Sequence, residues 1–268
     1  MPAMIVDVHT HIFPAHLIEA RQRIAEREPE FATMYADPRA KLATAEELLT
    51  SMAGAGVDVS VACGFWWHDA GLAAEHAAYL VEVAAASDGR LLAFVPGLTP
   101  PAGAHGLGEA RFDSIEASAT AAAAAGATDL PLLTHCTEEP GHAYPGKHGG
   151  LTAGGLWRLL QDHEALRVVA AHWGGGFPFY ALMPEVRTLL ASGRVVFDTA
   201  ASALLYEPRI FEVVRRLVGD NLIVWGSDFP LRSQATDLAA VTAAVPDPEA
   251  RAAILGGNAA RFLGIPER

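Results

Sequence analysis

The chain has 268 residues, 51% of them hydrophobic and 19% charged, which excludes a disordered chain and leaves ample material for a large core. Its formal net charge of −12 argues against nucleic acid or an anionic membrane surface as a partner. No apolar run of about 18 residues is present to span a bilayer, and two cysteines, Cys63 and Cys136, imply no disulfide framework and fit a reducing cytoplasm.

At the N-terminus no basic segment precedes an apolar stretch, so no secretory signal is expected. The first strand is expected over 4–9, within "MIVDVHTHIFP". Asp7, His9 and His11 occupy alternate positions there, and alternate residues of a regular strand share one face. "TAEELLTSMAGAG" (44–56) predicts a helix capped by Thr44, with Glu47 three places on and glycines at its end. A strand over 57–63 and a helix over 71–89 follow, then a strand over 90–95. Residues 95–105, "VPGLTPPAGAH", hold two adjacent prolines and no helical period. The third crossover helix is therefore expected to be shortened or missing. Further strands are expected over 106–110, 130–135, 167–172, 194–199 and 222–227. Further helices are expected over 114–126, 154–164, 179–191, 207–218 and 248–262.

Strands alternating with helices predict a parallel sheet. Eight of them in one chain of this length predict a (β/α)8 TIM barrel as a single domain, 1–268. A doubly wound open sheet is the alternative. It is weakened by the lack of a glycine-rich phosphate fingerprint after the first strand.

In a barrel of this kind, the C-terminal strand ends form the floor of the active site. His9 and His11 end the first strand, His135 follows "LPLLT", His172 follows "LRVVAA" and Asp228 follows "LIVWGS". Each alone reads as a turn or cap residue. Together they gather imidazoles and a carboxylate at one end of the barrel. That donor set suits zinc, manganese or iron and is too rich in nitrogen for calcium. A cation would offset the cost of burying the polar face of the first strand.

The motifs "DVHTH" (7–11), His135, "AHWGGG" (171–176), "GSDFP" (226–230) and "GNAARFLGI" (257–265) resemble the amidohydrolase superfamily. The similarity is to its amidohydrolase-2 branch, related to aminocarboxymuconate-semialdehyde decarboxylase, and it spans almost the whole chain. The resemblance implies a metal-dependent enzyme with one or two divalent cations per chain, zinc first and manganese or iron as alternatives. It also implies a small-molecule substrate, and relatives often form homodimers. Carried over, His9, His11, His135 and Asp228 would be metal ligands. His172 would be the acid/base or electrostatic residue, or a ligand of a second metal. Some members bridge two metals from the fourth strand with lysine or glutamate. "GLGEARF" (106–112) offers Glu109, which either serves as a ligand there or is salt-bridged at the rim with Arg111.

After the fifth strand, "THCTEEPGHAYPGKHGG" (134–150) is a polar loop at the catalytic end, where specificity is usually carried. His142 and Lys147 are expected to face the pocket, or else to lie on a solvated surface. In "GFWWHD" (64–69), Trp66 and Trp67 either wall an apolar substrate or pack beneath a loop, with Trp67 the expected contact. Arg111, Lys147 and Arg232 are the basic residues available to a substrate carboxylate. Cys136 is expected to be a small core residue rather than a nucleophile.

The main reading is a metal-dependent hydrolase of a small ester, lactone or amide-type substrate, with Asp228 and His172 as its catalytic residues. In that reading Asp228 orients and deprotonates water, and His172 stabilises developing charge. The alternative is a metal-dependent, non-oxidative decarboxylase of a small unsaturated or aromatic carboxylic acid. A non-enzymatic metal-binding scaffold is the third reading, and the complete ligand set argues against it.

Overall fold

The computed structural model describes residues 4–112 and 114–266. The outer limits of the expected 1–268 unit therefore lie outside the described residues. Eight parallel strands pair in sequence order: β1 (Val6–His11), β2 (Val59–Cys63), β3 (Leu91–Val95), β4 (Gly106–Ala110), β5 (Leu132–Thr134), β6 (Val168–Ala170), β7 (Val195–Asp198) and β8 (Ile223–Val224). The sheet closes on itself where Val8 N donates to Trp225 O (2.9 Å), Asp228 N to His9 O (2.9 Å) and His11 N to Phe229 O (2.7 Å). This is the expected (β/α)8 barrel.

The helices begin where side chains satisfy their first N–H groups. Thr44 and Glu47 form a reciprocal capping box on the helix Ala45–Ala55, which Gly56 ends in the left-handed conformation, and such a cap contributes about 1 kcal/mol. Asp69 and Ser114 cap the helices Ala70–Ala85 and Ile115–Thr128 from one side only, accepting from Leu72 N and Ala117 N. Between β3 and β4 the chain passes without a helix, as the paired prolines dictate. The span 179–191 is a 3₁₀ turn (Phe177–Tyr180) followed by the helix Pro184–Ala191. Three short helices between β1 and β2 (Ala15–Glu19, Arg21–Ala25, Pro29–Tyr35) and the helix Gln234–Ala244 are additional to the expected elements. No helix among the described residues is long and apolar enough to cross a membrane.

Val6, Val8, Val61, Phe94, Leu133, Val169, Val196 and Val224 fill the barrel centre, together with Met4 and with Ala259, Phe262 and Ile265 of the C-terminal segment. The opposite side chains of the strands, among them Ala62, Val95, Leu132, Val168 and Phe197, pack in the outer cluster with the helices.

The first strand departs from the expected single polar face. Val6 pairs with Val59 and Asp7 with Ser60, but Thr10 pairs with Ala62, so β1 carries one extra residue there. A bulge of this kind re-aims the side chains beyond it. Val8 still points into the apolar centre, and His9 and His11 then turn into the barrel mouth. Asp7 is left behind: it accepts hydrogen bonds from Ser227 N (2.9 Å), Ser227 Oγ (2.6 Å) and Gln234 Nε2 (2.8 Å). It is a buried anchor between β1 and the segment after β8.

Candidate metal centre

Six strand ends deliver ionisable groups to one buried point. His9 and His11 come from the end of β1, Glu109 from β4 and His135 from the residue after β5. His172 follows β6, Asp198 ends β7 and Asp228 lies beyond β8. All seven are buried. The Nε2 atoms of His9 and His11 face each other at 3.1 Å. Asp228 Oδ1 lies 3.5 Å from His11 Nε2 and 3.8 Å from His9 Nε2. Glu109 sits among the imidazoles. Its Oε1 is 2.8 Å from His135 Nδ1, 3.5 Å from His172 Nε2 and 3.7 Å from His9 Nε2, and its Oε2 is 3.6 Å from His11 Nε2. Among the described residues, two donor groups converge within 4.8 Å and share His9: one with Glu109 and His172, the other with His11 and Asp228. His135 belongs to neither group. Its Nδ1 faces Glu109 and, at 3.2 Å, the Arg111 guanidinium, and its Nε2 is buried without a hydrogen-bond partner.

The backbone is bent to aim these groups. His172 and Trp173 both take left-handed angles (φ 55° and 58°), and Asp228 does likewise (φ 62°). Such angles in non-glycine residues are sparsely populated and persist only where the surroundings impose them. Trp173 is held by its Nε1 hydrogen bond to Ser202 Oγ (2.7 Å). The following glycines are sterically required. A Cβ on Gly174 would lie 2.8 Å from the Phe197 ring, and one on Gly175 would lie 2.6 Å from Thr137 O.

Asp198 belongs to the cluster although none of the sequence motifs marks it. Its Oδ2 meets His9 Nδ1 at 2.8 Å, and its Oδ1 accepts from His172 N (2.8 Å) and Ala200 N (3.0 Å). The available signal was its place at the end of "RVVFD" (194–198), a carboxylate closing an apolar strand just as the recognised residues do.

Charge explains the cluster's demand for a cation. Burial alone would strip His9 of its proton, but Asp198, Glu109 and Asp228 outweigh it and raise its pKa to about 10. Burial and the His9 charge push His11 down to about 4. Burial and Arg111 bring His135 to about 4 as well. Burial would raise the Glu109 carboxyl, yet His135, Arg111 and His9 hold it well below the usual range. Three buried carboxylates thus retain a positive charge at their centre, on His9. A divalent cation held by Nε2 and oxygen donors would supply that charge in place of the proton. The donor set fits such an ion.

Above this floor opens a cavity of about 730 Å³. Its walls include Met34, Tyr35, Phe65, Trp66, Leu204 and Leu231, and also Arg39, Arg111, His142 and Tyr144. His142 and Arg111 thus line the cavity. Trp66, not Trp67, faces the cavity. Trp67 turns into an aromatic cluster with Phe13, Phe31 and Phe65, its Nε1 hydrogen-bonded to His76 Nδ1 (3.0 Å). Lys147 is not part of the wall either. Its ammonium donates to Pro140 O (2.9 Å) and His142 O (3.3 Å), which braces the loop from within. Arg232 is drawn to Asp237 (3.3 Å), and Cys136 is a fully buried core residue. Arg111 lines the cavity while donating through one nitrogen to Gly146 O and His148 O, each at 3.0 Å. Met34 and Tyr35, from the unexpected helix Pro29–Tyr35, had no signal in the sequence beyond their apolar character.

A family model described as "Amidohydrolase" matches residues 6–265. Among solved structures, 5-carboxyvanillate decarboxylase from Sphingomonas paucimobilis is similar with a TM-score of 0.76 at 17% identity, over 98% of this chain and 100% of that one. The Novosphingobium aromaticivorans enzyme of the same name, complexed with manganese and 4-hydroxy-3-methoxy-5-nitrobenzoic acid, gives 0.74 at 14% identity, over 98% and 97%. A 2,6-dihydroxybenzoate decarboxylase from Rhizobium gives 0.66 at 14% identity, over 98% and 99%. No curated protein matches the sequence.

Proposed function

The chain belongs to the amidohydrolase family, and from that premise we propose that it is a metal-dependent, non-oxidative decarboxylase of a small aromatic or unsaturated carboxylic acid. The observation that carries this reading is the cavity itself. A wall of Tyr35, Phe65, Trp66 and leucines stands directly over a floor of imidazoles and carboxylates. Such a space sandwiches a flat apolar ring and presents its charged end to the floor. The full-length likeness to structures of aromatic-acid decarboxylases supports it.

His9, His11, Asp228 and Glu109 would hold a divalent cation, which when bound would supply positive charge at the site of the substrate's carboxylate. Manganese, present in a similar structure, is the first candidate, ahead of the zinc expected from the residue types. In the reaction the bond between the carboxyl carbon and the ring or alkene carbon breaks, carbon dioxide leaves, and the electron pair left on that carbon takes a proton. His172 is the donor in this reading. Its Nδ1 lies 3.1 Å from Ala200 O, which leaves Nε2 turned toward the cluster. Burial opposes a proton on His172, while Glu109 and Asp228 favour one and raise its pKa, the direction a proton donor requires. The Arg111 guanidinium, at the edge of the floor, fixes the 137–150 loop and adds positive charge on the carboxylate side. The apolar wall keeps water from competing for the carbanion-like carbon.

One observation favours hydrolysis instead. Glu109 reaches both donor groups, as a carboxylate bridging two cations would, and a bridged pair is suited to activating water with Asp228 as the proton acceptor. Incubating the Mn²⁺-loaded protein with a panel of hydroxylated benzoates, and with esters and lactones, separates the readings. Carbon dioxide released in step with loss of the acid is expected. Turnover of an ester or lactone with no carbon dioxide from any acid overturns decarboxylation in favour of hydrolysis.

A further inference from the structure

We propose that Asp198 is the positioning residue of this centre: one buried carboxylate that sets the tautomer of His9 and, with its other oxygen, pins the turn that aims His172. The inference rests on the reading of this cluster as a metal site.

Asp198 is fully buried, as is His9. A carboxylate in such a place survives only if its oxygens are satisfied, and here three donors do so. Oδ2 takes the proton of His9 Nδ1 (2.8 Å), and Oδ1 takes the backbone protons of His172 (2.8 Å) and Ala200 (3.0 Å). With one proton held on Nδ1, His9 presents Nε2 to His11, Asp228 and Glu109 as the nitrogen at which a metal would replace the second proton. A second partner of this sort fixes which ring nitrogen is free to bind a metal and makes it more basic. Gly226 contributes room: a Cβ there would lie 2.8 Å from His9 Cβ and 3.5 Å from Asp198 Cβ, so this junction of β1, β7 and β8 admits no larger residue.

The second oxygen acts at a different strand. His172 N belongs to a residue at φ 55°, ψ 52°, a backbone state that needs holding. Asp198 Oδ1 caps that N–H and the N–H of Ala200, whose carbonyl lies 3.1 Å from His172 Nδ1. The carboxylate therefore connects the ligand on β1 with the proton donor after β6, although neither touches it through its reactive nitrogen.

Asp198→Asn and Asp198→Ala distinguish positioning from plain structural support. In the Asn variant, the two backbone donors hold the amide oxygen, so the amide NH₂ faces His9 Nδ1. That nitrogen must then present its lone pair, and the proton moves to Nε2, the atom the metal needs. In the Ala variant the backbone caps are lost, but His9 is free to choose its tautomer. Mn²⁺ affinity is measured by competition with a chromophoric chelator, and the thermal midpoint of the chelator-treated protein is measured beside it. The expected result is a loss of affinity in Asp198→Asn of roughly 10- to 100-fold with an unchanged midpoint. Asp198→Ala is expected to show a lower midpoint yet bind Mn²⁺ at least as well as the Asn variant. Wild-type affinity in Asp198→Asn overturns the inference, as does a series in which affinity simply follows midpoint. Wild-type protein that retains no Mn²⁺ overturns the metal-centre reading itself, and is distinguished from those outcomes by the wild-type measurement alone.

Discussion

The floor of the cavity and its rim are built from similar residues held in different ways. On the floor, ring nitrogens are fixed by groups from other strands: His9 by Asp198, His135 by Glu109, and His172 by the carbonyl of Ala200. Each partner is distant in sequence and buried, so the geometry is set by the barrel. On the rim, charged side chains are tied to their own loop or to one beside it. Lys147 is spent on Pro140 and His142 carbonyls, and Arg111 on those of Gly146 and His148. The floor is suited to holding a reacting group in one place, because strand ends move little. The rim is suited to changing what is admitted, because its contacts can be replaced without disturbing the sheet.

The largest effect is expected on the floor. His9→Ala with His11→Ala removes donors from the converging groups and should abolish both metal retention after dialysis and activity while the barrel still folds, as read by metal analysis and far-UV circular dichroism. Full metal content in this variant would break the comparison at its base. His172→Asn should follow, with kcat lower by on the order of a hundredfold to ten-thousandfold and one cation retained. If two cations are present in the wild type, the same variant should lose about half its metal.

Outside both floor and rim, packed against Phe13 and Trp67 on the helix Ala70–Ala85, His76 donates to Ile12 O (2.7 Å) just past β1 and accepts from Trp67 Nε1 (3.0 Å). Burial lowers its pKa to about 4 from the usual 6.5. The unfolded chain therefore takes this proton first as pH falls. The stability it confers is fully present above pH 6.5 and is lost between 6.5 and 4. That is worth about 3 kcal/mol, readable as a falling urea midpoint across this window that His76→Phe should make shallower, His11 and His135 accounting for the remaining slope. On the rim, Trp66→Ala should raise KM by roughly tenfold or more, the worth of one lost aromatic wall at about 1.5–3 kcal/mol, with metal content unchanged. Lys147→Ala should be the mildest. Its ammonium touches only loop carbonyls, so about 1 kcal/mol of loop order and a few-fold change in KM are expected, with kcat intact. A Lys147→Ala variant that lost its metal would erase the distinction between floor and rim.

The sequence by itself determined the barrel, because eight apolar runs separated by capped helices leave few other packings, and paired prolines forbid a helix between β3 and β4. It also marked the floor, since His9, His11, His135, His172 and Asp228 each sit at the end of such a run. Only the tertiary structure decided what surrounds them. The bulge in β1 separates Asp7 from His9, and no periodicity announces it because it depends on pairing with β2. Asp198 became legible only when β7 was brought beside β1. The short helices before β2 bury their residues against the cavity wall and lack the length for a helical period to show. Trp66 and Trp67 differ in role because one faces a cavity and the other a cluster, and Lys147 because a carbonyl lies within its reach. Local pattern specifies which elements form, since backbone hydrogen bonding and apolar spacing are local quantities. Which neighbour satisfies a buried polar atom is a property of the closed sheet, and depends on residues from 26 positions away (His135 and Glu109) to 189 (His9 and Asp198).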